Sequence, residues 1–275
     1  RNTTIQRVGT ALHTLQAERE KMIASTLNEN VTREVYQALR KANTERELSH
    51  QRSGKLSAGR LGKPLLEQIL YVIGVPKKPI EDYALGLFRR GENVEETIID
   101  LLSPNKTQVE VEYRNVVGFI DAVRNGMPYE VKSIKNSQVK YIDPQNTKKT
   151  RQTGELLPEY TGPKYAHVLQ ATLYGLATKS EYVTVLYVAA DDLRTYPHVI
   201  ETKTMAPEVE RIIDEFNAQL KLKTLPKWED REDWQEKYPQ YSDYPDWISL
   251  DPETAMQKLK QEYPEAYKNL RKEGK

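Results

Sequence analysis

Residues 116–134 hold the pattern that most restricts the fold of this chain, because a short polar turn joins two apolar segments there. Val116–Val123 is rich in strand-forming residues, and Pro128–Ile134 follows after Arg124-Asn125-Gly126. Asn-Gly between two such segments is typical of a β-hairpin. Residues 108–113 alternate apolar and polar side chains, which predicts a further strand just before the hairpin. The middle of the chain is therefore expected to be a meander of antiparallel strands.

Helical periodicity on both sides of this meander predicts an α/β fold with a central mixed β-sheet flanked by helices. We expect strands near 108–113, 116–124, 128–135, 182–190 and 196–202. Helices are expected near 64–74, 91–102, 165–179 and 207–222, with a last helix from about Pro252. In the second of these helices, the predicted buried stripe consists of Val94, Ile98, Leu101 and Leu102.

The outer parts of the chain differ in composition from this middle part. We predict an N-terminal helical region at 1–56, a core at 57–225 and an acidic C-terminal extension at 226–275. The extension carries the three tryptophans, Trp228, Trp234 and Trp247, and its acidic setting favours packing over base stacking. Inside the core, the polar stretch 135–163 has little periodicity, which favours a loop that contacts substrate.

Composition excludes several classes of site. The chain has no cysteine, which rules out thiolate zinc sites and cysteine-held iron–sulfur clusters. Any metal must bind to oxygen or imidazole ligands, which points to Mg²⁺ or Mn²⁺. No apolar run approaches the roughly 20 residues of a membrane span, so we expect an intracellular protein without a membrane partner.

Three side chains of the meander form a set that suits phosphodiester hydrolysis. Glu130 and Lys132 are two residues apart and share one face of their strand, and Asp121 comes from the neighbouring strand. Hydrolysis of a phosphodiester needs a metal held by carboxylates, an activated water, and positive charge near the transition state. Asp121 and Glu130 would hold the metal, and Lys132 would orient the water or deprotonate it with a lowered pKa.

A carboxylate from a helix would complete the oxygen ligands of the metal. Glu95 borders the apolar stripe of helix 91–102, whereas Glu96 points further toward solvent; Glu96 is the ligand if that helix is rotated from this interpretation. Glu-x-Lys alone is also compatible with an ion pair on a half-exposed sheet, with Asp121 merely ending a strand. The order of the motifs along the chain favours the site.

These motifs resemble the PD-(D/E)XK nucleases, specifically the RecB-like and lambda-exonuclease-like branch. Gly118-Phe119-Ile120-Asp121 followed by Glu130-Val131-Lys132 looks like the core signature of the family. Gly91 followed four residues later by Glu95 resembles the helix motif of the branch, and Gln170-Ala171-Thr172-Leu173-Tyr174 resembles its Q-x-x-x-Y motif. The resemblance covers about residues 57–222 and implies a restriction-endonuclease-like core in which Gln170 and Tyr174 are catalytic residues near the substrate phosphates. Without the upstream motif, a Gln/Tyr pair one helical turn apart is often plain surface.

Two positions depart from the family pattern. Ile120 replaces the usual Pro, and Glu95 stands where many relatives have His, which changes the ligands of the metal. The cysteines that hold a cluster in some relatives are absent, so the resemblance is closer to phage exonucleases.

The resemblance implies a Mg²⁺- or Mn²⁺-dependent deoxyribonuclease, with an exonuclease favoured by analogy. It also implies a bacterial or phage-encoded enzyme of recombination, repair or phage DNA processing, with DNA and a recombination or replication protein as partners. Two alternatives stay open. One is a structure- or site-specific endonuclease of the same core, and the other is a non-catalytic DNA-binding or assembly module.

Charge along the chain is uneven although the net charge is only +1. The segments 1–60 and 131–164 are basic and 229–275 is acidic, so a cleft lined by the basic segments could follow phosphates. Ordinary solvated surface is the alternative. The predicted substrate-binding residues are His167, Lys135, Lys140, Lys148, Lys149 and Arg151.

Overall fold

The central sheet fixes the positions of the residues predicted to do chemistry. The computed structural model of the chain describes residues 21–22, 25, 30–45, 54–143, 162–229 and 242–272. The chain divides into two compact units, Arg1–Gln51 with Ile80–Leu87 and Arg52–Pro79 with Phe88–Lys275. In the first unit residues 30–45 are helical, and Arg40 Nε donates to Asp82 Oδ1 at 2.6 Å. The domain boundaries expected from the sequence stay predictions.

Six strands form one mixed sheet in the second unit. They are β1 (Leu56–Ser57), β2 (Lys106–Tyr113), β3 (Val116–Arg124), β4 (Met127–Ile134), β5 (Tyr182–Ala189) and β6 (Thr195–Glu201). Beyond residues 30–45, the α-helices in the described part of the chain are α1 (Leu65–Ile73), α2 (Asp82–Leu102), α3 (Asn136–Ile142), α4 (Tyr165–Thr178), α5 (Thr202–Leu222), α6 (Pro252–Glu262) and α7 (Pro264–Arg271). The predicted α/β fold with a central mixed sheet flanked by helices is confirmed.

Strand β3 has three partners in the sheet. It pairs with β2 in antiparallel register from Val123 to Val116. Along its other edge β3 pairs in parallel with β1 at its start and antiparallel with β4 at its end. The β3–β4 turn has φ 51° at Asn125 and φ 80° at Gly126, as the Asn-Gly pair predicts for a two-residue hairpin.

Strand β5 lies inside the sheet between β4, to which it is parallel, and β6, to which it is antiparallel. All its residues after Tyr182 are buried, because helices cover both of its faces. Val94 and Ile98 of α2 pack on one face with Val131 and Leu186. Ala171 of α4 and two residues of α3 pack on the other face.

The largest core cluster connects α1, α4 and α5 with the C-terminal helices. Trp228 and Trp247 are buried in it, so the packing predicted for these tryptophans is confirmed, and Trp234 lies outside the described residues. A buried polar network adds to this attachment. Glu67 Oε1 accepts from the Asp243 amide at 3.1 Å, and Arg60 Nη2 donates to Asp243 Oδ2 at 2.7 Å. Within the described part of the chain, none of the helices is long and apolar enough to cross a membrane.

Two helix predictions were wrong. The stretch 135–163 was expected to be a loop, but Asn136–Ile142 is helical because Val139 and Ile142 are buried against β5. Residues 144–161 lie outside the described residues. The helix expected from Gly91 begins at Asp82 and runs through that glycine. Leu101, placed in its buried stripe, is 71% exposed because the packing face of α2 passes through Val94 and Ile98.

Two further helix boundaries differ from expectation, and one strand was not expected. Helix α5 begins at Thr202 rather than Pro207, because Thr202 anchors a turn before the proline by donating its amide to Glu181 O at 2.9 Å. The last helix is divided in two before Pro264, whose missing N–H interrupts helical bonding. Strand β1 has two residues, too few to give a periodic signal.

We predict that Gly62→Ala destabilises the second unit. A Cβ at residue 62 would lie 2.4 Å from Ala166 Cβ and 2.7 Å from Ala166 Cα, so the start of α4 would have to move. The free energy of unfolding in urea should fall by about 1–3 kcal/mol. Gly86→Ala is the control, because a Cβ there meets nothing within 4 Å in a helix, and it should be neutral or stabilising by up to about 1 kcal/mol. Equal stability of the two variants would contradict this account of the packing.

Candidate active site

The centre of the candidate site is a gap on one edge of β3. Strand β4 pairs with β3 only from Ala122 to Arg124, and β1 pairs only with Val116 and Val117. Beyond Tyr129, β4 leaves β3 and continues beside β5. The backbone of β3 between these two contacts therefore has no strand partner on this edge.

Side chains fill this gap and replace the missing strand bonds. The Tyr174 hydroxyl donates to Phe119 O at 2.8 Å, and Gln170 Nε2 donates to the Tyr174 hydroxyl at 2.8 Å. A Cβ on Gly118 would lie 2.6 Å from the Tyr174 ring, so the strand needs glycine where this ring crosses it. The Gln-x-x-x-Tyr motif thus bonds helix α4 to β3 two residues before Asp121.

Asp121 lies where β3 departs from regular strand structure. Its Oδ2 accepts from the Val131 amide at 2.8 Å, so the carboxylate joins β3 to β4 across the gap. On the other edge of β3, the ladder with β2 omits the pair of Gln108 and Asp121. Gln108 has φ 48°, a strained value for a residue with a Cβ, and its Nε2 donates to Asp121 Oδ1 at 3.5 Å.

Glu130 and Lys132 form a buried ion pair on the α4 side of β4. Glu130 is 1% exposed, and its Oε1 contacts Lys132 Nζ. Apart from this contact, neither carboxylate oxygen of Glu130 has a hydrogen-bond partner among the described residues. The Lys132 side chain is 25% exposed, so the ion pair is open to solvent beside the lysine.

Helix α2 brings a third carboxylate to this pair. Glu95 Oε1 accepts from the Ser133 amide at 3.0 Å, whereas Glu96 is exposed on the next helical position. Gly91 allows this approach, because a Cβ there would lie 2.8 Å from Ser133 Oγ. The structure therefore brings Glu95, and not Glu96, next to β4.

Burial makes all three carboxyl groups weaker acids than usual. It raises the pKa of Glu130 to about 7, with Asp121 adding to the rise and Lys132 opposing it. Burial also raises the pKa values of Asp121 and Glu95, again against the effect of Lys132. For Lys132 itself burial would lower the pKa, but the carboxylates of Glu130 and Asp121 outweigh burial and raise it. Three carboxyl groups and one ammonium thus share this region, and burial opposes ionisation of the carboxyl groups.

This set of donors fits a hard divalent cation. Asp121, Glu130 and Glu95 offer carboxylate oxygens, the ligands that Mg²⁺ and Mn²⁺ prefer, and the Glu130 oxygens are poorly satisfied. In the part of the chain that the structure describes, no three Asp, Glu or His side chains already converge on one point. Lys132 contacts the Glu130 carboxylate, and the Ser133 amide donates to the Glu95 carboxylate. The carboxylates would have to turn toward one another to share a cation.

The predicted substrate-binding residues have different positions. His167, on the first turn of α4, is near enough to Lys132 for the lysine charge to lower its pKa, after the larger effect of burial. Lys135 is exposed just before α3, and the Lys140 ammonium lies 4.7 Å from the centre of the Tyr141 ring. Lys148, Lys149 and Arg151 lie outside the described residues. DNA contacts by these residues stay predictions.

Sequence reasoning missed two side chains that touch the predicted site residues. Gln108 faces Asp121 from β2, but a positive φ at a glutamine leaves no trace in a single sequence. The Tyr187 hydroxyl lies 2.9 Å from His167 Nδ1, although the sequence shows Tyr187 only as one residue of an apolar strand. The feature of the sequence that points to this contact is the hydroxyl that Tyr187 carries within the buried segment Val183–Ala189, because a buried tyrosine hydroxyl usually has a hydrogen-bond partner.

The chain was also compared with known proteins. No protein-family model matches it, and no curated protein matches its sequence. Among solved structures it is similar to an alkaline exonuclease, LHK-Exo from Laribacter hongkongensis, with 17% identity, a TM-score of 0.43, and coverage of 70% of this chain and 96% of the other. The complex of LHK-Exo with dAMP has 18% identity, a TM-score of 0.44, and coverage of 70% of this chain and 96% of the other. SSO0001 has 16% identity, a TM-score of 0.49, and coverage of 74% of this chain and 91% of the other.

We predict that Asp121→Asn stabilises the metal-free protein at high pH. The folded state raises the pKa of Asp121, so ionisation of this carboxyl costs stability as the pH rises through the folded pKa. Asparagine keeps an oxygen for the Val131 amide and never ionises. In EDTA at pH 8 the variant should unfold with a free energy higher by on the order of 1 kcal/mol, and this gain should vanish near pH 4. A gain that is the same at both pH values would rule out the buried charge as its cause.

Proposed function

We propose that this chain is a metal-dependent nuclease that hydrolyses DNA phosphodiester bonds. The buried Glu130–Lys132 pair in the β3–β4 gap, next to Asp121, is the observation that carries this proposal. Burying charge is costly, and a fold retains such a group when it is used. A purely structural ion pair would not need two more carboxylates with raised pKa values beside it.

In this proposal Asp121 and Glu130 would hold one or two Mg²⁺ or Mn²⁺ ions, and Glu95 would complete the oxygen ligands. The cation, when bound, activates water and offsets charge on the phosphate. The protein contributes by fixing the carboxylates: Val131 holds Asp121, and Ser133 holds Glu95. Because both contacts use backbone amides of β4, the strand that carries Glu130 also orients its two partners.

Lys132 acts as a cation in this mechanism. In the protein without a bound metal ion, the surrounding carboxylates raise the pKa of Lys132 and favour its ammonium form. An ammonium can donate to the attacking water and to a phosphate oxygen at the same time. Gln170 and Tyr174 bond α4 to the Phe119 carbonyl of β3, and we place them near the substrate phosphate because the motif resembles the Q-x-x-x-Y motif of the branch.

We infer action from DNA ends because the motifs resemble exonucleases of recombination, repair and phage DNA processing. A site- or structure-specific endonuclease is the second candidate from the same residues. The two are separated by closed circular DNA, which an exonuclease leaves intact. A non-catalytic DNA-binding module would bind DNA and cut neither form.

Lys132→Ala and Asp121→Ala should each lower kcat on end-labelled linear DNA by about a thousandfold or more, because each removes a group that acts on the transition state. Single- and double-stranded linear DNA and closed circular DNA are incubated with Mg²⁺ or Mn²⁺, and nucleotide release is measured over time. Cleavage in EDTA, or full activity of both variants, would contradict the mechanism. The control is Glu112→Gln, a solvent-side carboxylate of β2 paired with Lys55, which should keep its activity.

Glu95→Gln and Glu96→Gln form a matched pair that tests the helix ligand. Glutamine at 95 can still accept from the Ser133 amide, so the fold is kept while a ligand charge is lost. We expect about tenfold or greater loss of activity at low Mn²⁺ for Glu95→Gln, with partial recovery as Mn²⁺ increases, and no change for Glu96→Gln. The measurement is a Mn²⁺ titration of the cleavage rate. A larger effect at residue 96 would assign the ligand to Glu96 instead.

A further inference from the structure

The backbone of Gln108 has a conformation that its place in strand β2 does not explain. Its φ is 48°, in the left-handed region that is unfavourable for a residue with a Cβ. Gln108 is the only such residue inside a strand in the part of the chain that the structure describes. The others lie in connections or at helix ends: Ser103, Arg114, Asn115, Asn125, Lys179, Leu193 and Lys223. Neither a turn nor a helix end accounts for the strain at Gln108.

The register of the β2–β3 ladder shows that no inserted residue causes this strain. Thr107 pairs with Ala122 and Val109 pairs with Ile120, so the register is the same on both sides of Gln108. A β-bulge would place two residues opposite one and shift the register. A regular strand conformation at Gln108 would continue the ladder, and the chain forgoes that pair.

The side chain of Gln108 meets Asp121, the residue opposite it in this register. Gln108 Nε2 donates to Asp121 Oδ1 at 3.5 Å, which is long for a hydrogen bond, and its side chain makes no other hydrogen bond to the described residues. The Val131 amide donates to the second oxygen, Oδ2, at 2.8 Å. Donors on both oxygens fix the plane of the carboxylate, and each oxygen keeps a lone pair for a cation.

We propose that Gln108 is a positioning residue that orients Asp121 for a divalent cation, and that the strained backbone of Gln108 is kept for this purpose. This role rests on the proposed nuclease function. Residues that hydrogen-bond a metal ligand typically change metal affinity by about 10- to 100-fold without touching the metal. A neutral amide suits the position, because a lysine or arginine would orient Asp121 but would repel a cation.

Two substitutions at this position remove the donor in different ways. Gln108→Met keeps the length of the side chain and its Cβ but cannot donate. Gln108→Gly removes the donor and also the strain, because glycine adopts a positive φ without a steric cost. Lys179→Gly is the matched control, since Lys179 is an exposed residue with φ 57° at the end of α4, outside the candidate site.

The first test measures Mn²⁺ binding and needs no DNA. The whole chain is titrated with Mn²⁺, and free Mn²⁺ is followed by its electron paramagnetic resonance signal. We expect Gln108→Met and Gln108→Gly each to weaken binding by about tenfold, and Lys179→Gly to leave it unchanged. Unchanged binding in either Gln108 variant would overturn this role alone. Absence of Mn²⁺ binding by the unmodified protein would overturn the proposed function together with it.

The second test measures stability without a metal, by unfolding in urea with EDTA. Gln108→Gly should unfold at a urea concentration equal to or higher than that of the unmodified protein, because relief of the strain outweighs the loss of one long hydrogen bond. Lys179→Gly should likewise gain stability. A clear loss of stability in Gln108→Gly would show that this conformation is kept for stability, and the proposal would fall.

The third test separates positioning from catalysis by measuring cleavage of end-labelled DNA at increasing Mn²⁺. At low Mn²⁺, Gln108→Met should cleave about tenfold more slowly than the unmodified protein. At saturating Mn²⁺ its rate should come within about threefold of the unmodified rate, because a bound cation then holds Asp121 in place. A deficit that persists undiminished at saturation would place Gln108 on the substrate and overturn its role as a positioning residue.

Discussion

The early end of the β3–β4 pairing is the constraint on which the rest of this structure depends. Antiparallel strands normally satisfy every backbone group along their shared edge, but β4 leaves β3 after three residue pairs. The backbone opened in this way has to be bonded by side chains, because buried amide and carbonyl groups without partners are costly. Asp121 bonds the Val131 amide and Tyr174 bonds the Phe119 carbonyl. Two residues of the candidate site thus also hold the sheet together, and helix α4 is attached to β3 by the same contacts.

The gap also concentrates charge where charge is unfavourable. Glu130, Asp121 and Glu95 are all harder to ionise than free carboxyl groups because they are buried, and the positive charge of Lys132 opposes this effect. A fold selected for stability alone would place apolar residues at these positions. The strained backbone at Gln108, directly across from Asp121, belongs to the same pattern, since strain and buried charge tend to gather at functional sites. A divalent cation would relieve most of the repulsion, which links stability to metal binding in the proposed enzyme.

Close approach of neighbouring elements makes this arrangement possible, and glycines permit it. Gly118 lets the Tyr174 ring cross β3, and Gly91 lets α2 come near enough to β4 for Glu95 to reach the Ser133 amide. Strand β5 supports both sides of the site. Its apolar side chains pack against α2 and α4, and its Tyr187 reaches through to the first turn of α4. The candidate site is therefore built on strands and helices rather than on loops, which favours a fixed geometry.

The sequence by itself determined the mixed α/β sheet, the hairpin at Asn125-Gly126 and the burial of Trp228 and Trp247, because strand alternation, turn chemistry and local charge are properties of neighbouring residues. It also singled out the residues that the fold brings together, since Asp121, Glu130, Lys132 and the Gln170–Tyr174 helix stand in a recognisable order. The sequence favoured Glu95 and left Glu96 open, and the structure brings Glu95 to the Ser133 amide. Tertiary structure alone decided that Asn136–Ile142 is a helix and that Gln108 and Tyr187 touch the site residues. The physical reason is the same in each case. These outcomes depend on contacts with strands distant in sequence, and the rotation of a helix or the direction of one hydroxyl cannot be read from periodicity.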